Sequence, residues 1–277
     1  MRQTRPDPAV IARLATIARA VASSAAAALM LAIAASAQPA FDPRDFSGHW
    51  DRRSPLESFA NTPGGTRGVD VPGSREAPFT AEGRVRFEAN KPGYGPRRQM
   101  ERNDPMGRCE PLGLVRNLNT EIVPPHSTFE IVQTAGRLLQ FFEYRHDWRE
   151  IWMDGRALPA PEDLYPKWNG FSIGRFDGDT LVVESAGFDD RSWLDKLGYP
   201  HSEDMRVEER YRRLDADTLE LVVTLTDPAI YHEPWQSDRK LFTLNREKAQ
   251  RWDEQIYCIP AEETSFQQLI GTGNVID

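Results

Sequence analysis

From residue 128 onward, short runs of β-branched and aromatic residues alternate with polar ones and are separated by turn residues, the pattern of half-buried strands. The runs fall at 128–134, 137–145, 148–153, 171–176, 180–186, 204–213, 218–226 and 240–244. In the clearest of them Leu219, Leu221, Val223 and Leu225 share one face, while Glu220 and Thr224 share the other. Ala135-Gly136, Asp154-Gly155 and Asp177-Gly178 stand between runs as hairpin signals, because Gly reaches the positive φ of tight turns without steric cost. The stretch 38–125 is rich in Pro and Gly and predicts irregular segments packed on the barrel. Two exceptions stand out there, a first strand at 46–51 and a brief helix over 80–90 with Thr80 as its N-cap. Eight or nine short strands in hairpin order predict an all-β fold, an antiparallel up-and-down barrel with its core in 126–277. A barrel of that size has room for side chains or one small ligand.

The first 37 residues read differently. Arg2, Arg5, Arg13 and Arg19 precede an Ala/Leu/Ile run, and Ala35-Ser36-Ala37 fits a small-x-small cleavage pattern with the cut before Gln38. This is the pattern of a secretory signal peptide. The apolar run is short, dominated by Ala and broken by Ser23 and Ser24, too weak for a bilayer core of roughly 30 Å. The expected location is therefore periplasmic or extracellular, with no membrane insertion of the mature chain.

Composition fits one globular domain, with 39% hydrophobic and 10% aromatic residues supplying ample material for a core. The formal charge is -8, and removing residues 1–37 takes away four Arg and one Asp to leave -11. That sign excludes nucleic acid as the expected partner. Cys109 and Cys258 are the only cysteines, and in an oxidising compartment they are expected to pair. A loop that long would be worth roughly 4 to 5 kcal/mol on the chain-entropy model.

Candidate chemistry concentrates at 187–213, where Asp189, Asp190, Trp193, Asp195 and His201 lie close in sequence. Neighbouring carboxylates raise the pKa of a His or of one another, so an acid–base site can be built from them. The same Asp residues serve equally well as caps of a turn that tucks Trp193 and Leu194 into the core. Within the strand that follows, Met205, Val207, Glu209 and Tyr211 share one face, so Glu209 occupies a position where an apolar side chain is expected. A carboxylate there is either a tuned catalytic group or half of a buried pair, with Arg145, Tyr144 and Tyr257 as candidate partners. At the end of 137–145, His146 opens a polar and aromatic stretch with Trp148 that could line a barrel mouth. No HExxH, Cys cluster, G-x-S-x-G or nucleotide-binding Gly loop is present, so no metal and no organic cofactor is expected.

The opening Gly48-His49-Trp50 resembles the G-x-W that begins lipocalin-type barrels. The segments 148–156, 178–183 and 187–213 resemble a large group of exported, mostly uncharacterised bacterial proteins, as do Asn103-Asp104-Pro105, 109–113 and Pro200-His201-Ser202. The similarity spans about 90–266. It implies a calycin-like barrel and export and carries no common activity or catalytic residues.

The leading functional expectation is a barrel that binds a small, partly apolar or aromatic molecule. Phe142, Tyr144, Trp148, Trp152 and Trp193 would form walls, with Arg145, His146, Asp189 and Asp195 as further contacts. The alternative is a cofactor-independent isomerase, cyclase, lyase or hydrolase using Glu209, His201 and Asp190. A third reading is a structural or interaction module of the cell envelope.

Overall fold

The computed structural model describes residues 41–53, 77–90, 104–119, 128–195 and 198–247. Ten strands follow one another as β1 (Gly48–Arg52), β2 (Thr128–Gln133), β3 (Arg137–Phe142), β4 (Asp147–Trp152), β5 (Phe171–Asp177), β6 (Thr180–Ala186), β7 (Arg206–Arg213), β8 (Thr218–Thr226), β9 (Trp235–Gln236) and β10 (Lys240–Leu244). Each pairs with the next as far as β9, and β10 pairs with both β1 and β8, so nine strands close a barrel to which the short β9 is added. Each of the nine closing strands therefore has a neighbouring strand on both sides along at least part of its length. The barrel expected from the sequence is the one observed, and β5, β6, β8 and β10 lie within a residue of their predicted limits.

Inward faces follow the period of two. Phe129 and Ile131 on β2, Leu138, Gln140 and Phe142 on β3, Val207, Glu209 and Tyr211 on β7, and Leu219 to Leu225 on β8 are all buried at alternate positions. Trp50 is fully buried on β1, donates from Nε1 to the carbonyl of Phe46 at 3.0 Å and carries the Arg213 guanidinium 4.9 Å from its ring centroid.

Helix α1 (Ala81–Asn90) is capped as its sequence predicts, with Thr80 Oγ1 accepting from the Gly83 amide at 3.0 Å. Its Phe87 stacks on Phe79 and Tyr199 at 5.0 and 4.7 Å, and Tyr231 and Trp235 extend the cluster. Helix α2 (Leu114–Asn119) lies in the segment expected to be irregular. Its Arg116 forms a buried two-pronged pair with Asp104, at 2.8 and 2.7 Å.

Two local expectations are corrected. The strand expected over 137–145 stops at Phe142, because Tyr144–His146 form a 3-10 turn in which Arg145 and His146 take φ of 60° and 54°. The alternation of that run therefore ends at Phe142. Asp154-Gly155 does turn, with Gly155 at φ 80°, but it opens no hairpin. The chain instead runs from 153 to 170 before β5 pairs with β4 in parallel, at Ile151–Ser172 and Trp152–Ile173 only. Parallel pairing needs such a crossover, and here it leaves the first half of β4 without a strand partner on that side.

Candidate functional site

The incomplete β4–β5 seam creates the site. Along β4, Trp148, Glu150 and Trp152 point outward while Arg149 and Ile151 point into the barrel, shown by Trp148 at 52% exposure beside Arg149 at 4%. Across the gap the 153–170 connection brings Lys167, Trp168 and Asn169, and β5 begins with Phe171. Together with Arg156 and Ser172 these side chains enclose a cleft of about 480 Å³.

The aromatic walls are held by neighbouring side chains. Trp148 stacks on Phe141 at 6.3 Å, Trp152 carries the Arg156 guanidinium at 3.9 Å, and Trp168 carries that of Arg191 at 4.5 Å. Asp147 fixes the two lips to each other, since its Oδ2 accepts from Asn117 Nδ2 at 3.0 Å and Asn169 Nδ2 at 2.9 Å. Asn169 also donates to the Trp148 carbonyl at 3.2 Å. Its own buried Oδ1 meets no donor among the described residues.

At the inner side of the cleft, Arg149 and Ser172 belong to a polar network inside the barrel. Arg149 crosses from β4 to Glu209 on β7 in a bidentate pair at 2.7 and 2.5 Å. Its Nε donates to Gln140 Oε1 at 2.9 Å, and Tyr211 donates from its hydroxyl to Glu209 Oε2 at 2.7 Å. Ser172 and Ser185 hydroxyls meet at 2.8 Å. Burial, reinforced by Glu209, pushes the Tyr211 phenol well above its ordinary range, so it remains a donor. Burial would lower Arg149, but Glu209 and Tyr211 outweigh it and the guanidinium is raised instead. The carboxylate at 209 is thus clamped through both oxygens, and its partner is Arg149. Arg145, expected as that partner, instead donates to the carbonyls of Cys109 and Glu110, the latter at 2.8 Å. Tyr144 is half-buried in the turn, and Tyr257 lies outside the described residues.

His201 lies elsewhere, in the loop before β7. Its Nδ1 must donate to the Ser202 carbonyl at 3.1 Å, since a carbonyl only accepts, which leaves Nε2 to accept from the Ser192 hydroxyl at 2.8 Å. Burial lowers its pKa, against the opposing pull of the Ser202 carbonyl, Asp227 and the Asp189–Asp190 pair, so the ring is held neutral. Asp227 accepts from the Ser202 amide and hydroxyl at 2.6 and 2.8 Å. Asp190 faces Arg86 at 3.4 Å near the surface, while Asp189 is claimed by Arg191, whose hydrogen bond lowers its pKa.

The structure places Glu209, His201 and Asp190 in three different hydrogen-bond networks. Of the expected walls, Trp148 and Trp152 line the cleft. Phe142, Trp193 and Asp195 are buried, and His146 sits half-buried in the strained turn. Trp168, Phe171 and Lys167 were not anticipated as site residues. Among the described residues no three His, Cys, Asp or Glu converge as a metal site, and no helix is long and apolar enough to cross a membrane. Compared with protein-family models, curated proteins and solved structures, the chain matches none.

Proposed function

We propose that this barrel binds a small molecule bearing a flat aromatic group in the β4–β5 cleft. The observation that supports the reading is the recess itself, walled by Trp148, Trp152, Trp168 and Phe171 with Arg149 and Ser172 at its inner side. Apolar walls with a few fixed polar groups are the usual make-up of a ligand pocket. Trp148 supports it further, because its indole stays 52% exposed at the cleft while it stacks on Phe141 across the sheet. Calorimetric titration with naphthalene derivatives tests the reading. Trp148→Ala is expected to weaken binding about tenfold, near 1.4 kcal/mol, while the melting temperature stays within a degree or two. Undiminished affinity in that variant would overturn it.

We further propose that the chain is exported, cleaved before Gln38 and closed by a Cys109–Cys258 disulfide. Cys109 is buried, and no cysteine is free among the described residues; Cys258 lies outside them. Intact mass of protein recovered from outside the cytoplasm is expected to equal residues 38–277 less two hydrogens. A mass matching the full chain, or one that takes up thiol reagent without prior reduction, would contradict it.

A further inference from the structure

We propose that the cleft selects aromatic anions, with the acidic group on Lys167; this deepens the binding reading above and rests on it. Five charged side chains line the cleft: Asp147, Arg149, Glu150, Arg156 and Lys167. Four already have strong partners. Asp147 accepts from Asn117, Asn169 and the Trp148 amide. Arg149 is clamped on Glu209, Glu150 meets Arg137 at 2.6 Å, and Arg156 meets Asp154 at 2.5 Å.

Lys167 differs. It makes no ion pair among the described residues, and its ammonium rests 4.6 Å from the Tyr165 ring centroid and 5.9 Å from that of Phe171. Its backbone is fixed, with the amide donating to the Gly187 carbonyl at 3.0 Å and the carbonyl accepting from the Asp189 amide at 3.0 Å. Lys167 is thus a cation with a fixed root and aromatic neighbours and with no carboxylate partner among the described residues. Tyr165 beside it is 67% exposed, so the rim remains open to an incoming group.

An aromatic acid satisfies both halves of this arrangement, its ring meeting the indole walls and its carboxylate the ammonium. A neutral aromatic uses only the walls. A cationic one meets Lys167 and Arg156 while the lining carboxylates are already engaged. Charge-assisted contacts of this kind exceed neutral ones in strength and weaken with salt where exposed.

Titration calorimetry with 2-naphthoate, 2-naphthalenemethanol and 2-naphthylmethylammonium separates these cases. The naphthoate is expected to bind about tenfold tighter than the alcohol, and the ammonium weakest. Lys167→Gln is expected to bring the naphthoate-to-alcohol ratio to about one, and Lys167→Arg to restore it. Equal or tighter binding of the alcohol or ammonium overturns charge selection and leaves the cleft reading standing. A ratio that persists in a folded Lys167→Gln variant also overturns it. If none of the three probes binds, the cleft reading and the charge inference fall together.

Discussion

Replacing Glu209 with Ala is expected to lower the unfolding free energy by about 3–5 kcal/mol, the range for breaking a buried ion pair from one side. The cause is what remains. Arg149, at 4% exposure, would keep its charge inside the barrel with Gln140 and a phenol as its closest company. Glu209→Gln retains shape but not charge and is expected to lose stability as well. Arg149→Met combined with Glu209→Leu removes both charges, and such replacements are often neutral or stabilising. The double variant is therefore expected to recover most of the loss. Urea unfolding of the three variants gives the free energies directly. A loss below about 1 kcal/mol for Glu209→Ala would mean that water reaches Arg149 through the cleft and the pair is not desolvated.

Glu209 was legible in the sequence because it is flanked on its own face by Val207 and Tyr211, so an inward carboxylate could be read from alternation alone. Its partner was not. In 147–152 the aromatic residues Trp148 and Trp152 alternate with Arg149, and alternation assigns the indoles to the core and the guanidinium to solvent. The barrel reverses this, since Gln140 on β3 pairs with Arg149 on β4 at the same inward level. Facing identity is a property of two strands in register, and a single strand carrying two tryptophans gives the wrong sign.

The cleft was hidden for a related reason. Its far wall comes from the 153–170 connection, which carries no strand-like periodicity, and its existence depends on a parallel pairing of only two residue pairs. Asp154-Gly155 looks locally like any hairpin turn, and only the partner that β5 chooses distinguishes a hairpin from a crossover. By contrast β5 to β8 pair antiparallel over most of their lengths, and β8 carries its own register in the alternation of Leu219, Leu221, Val223 and Leu225. They were read with nearly correct limits, Asp177-Gly178 included, where Gly178 takes φ 60°. His201, Glu209 and Asp190 were grouped by closeness in sequence. The loop and strand that carry them send the three side chains to different partners.

The second large effect is expected at α1, where the sign of a familiar substitution should reverse. Gly to Ala inside a helix normally stabilises by up to about 1 kcal/mol. At Gly83, however, an added Cβ would lie 2.1 Å from the backbone carbonyl oxygen of Ile230, and neither backbone can give way cheaply. The contact is close because Thr80 ties the helix start to the same loop, its amide donating to the Ile230 carbonyl at 2.8 Å and its hydroxyl to that of Ala229 at 2.7 Å. Gly83→Ala must therefore push the helix outward and loosen the stack of Phe87 on Tyr199 and Phe79. Overpacking of this kind costs roughly 1–3 kcal/mol. Phe87→Ala removes the anchor itself and is expected to cost about 3–5 kcal/mol. If the helix docks as one unit, the double variant loses little more than Phe87→Ala alone, because the clash at 83 matters only while the ring holds the helix down. Melting curves of the two single variants and the double variant decide this. Stabilisation by Gly83→Ala, or full additivity of the two losses, would show that α1 is not seated on the 227–231 loop in this way.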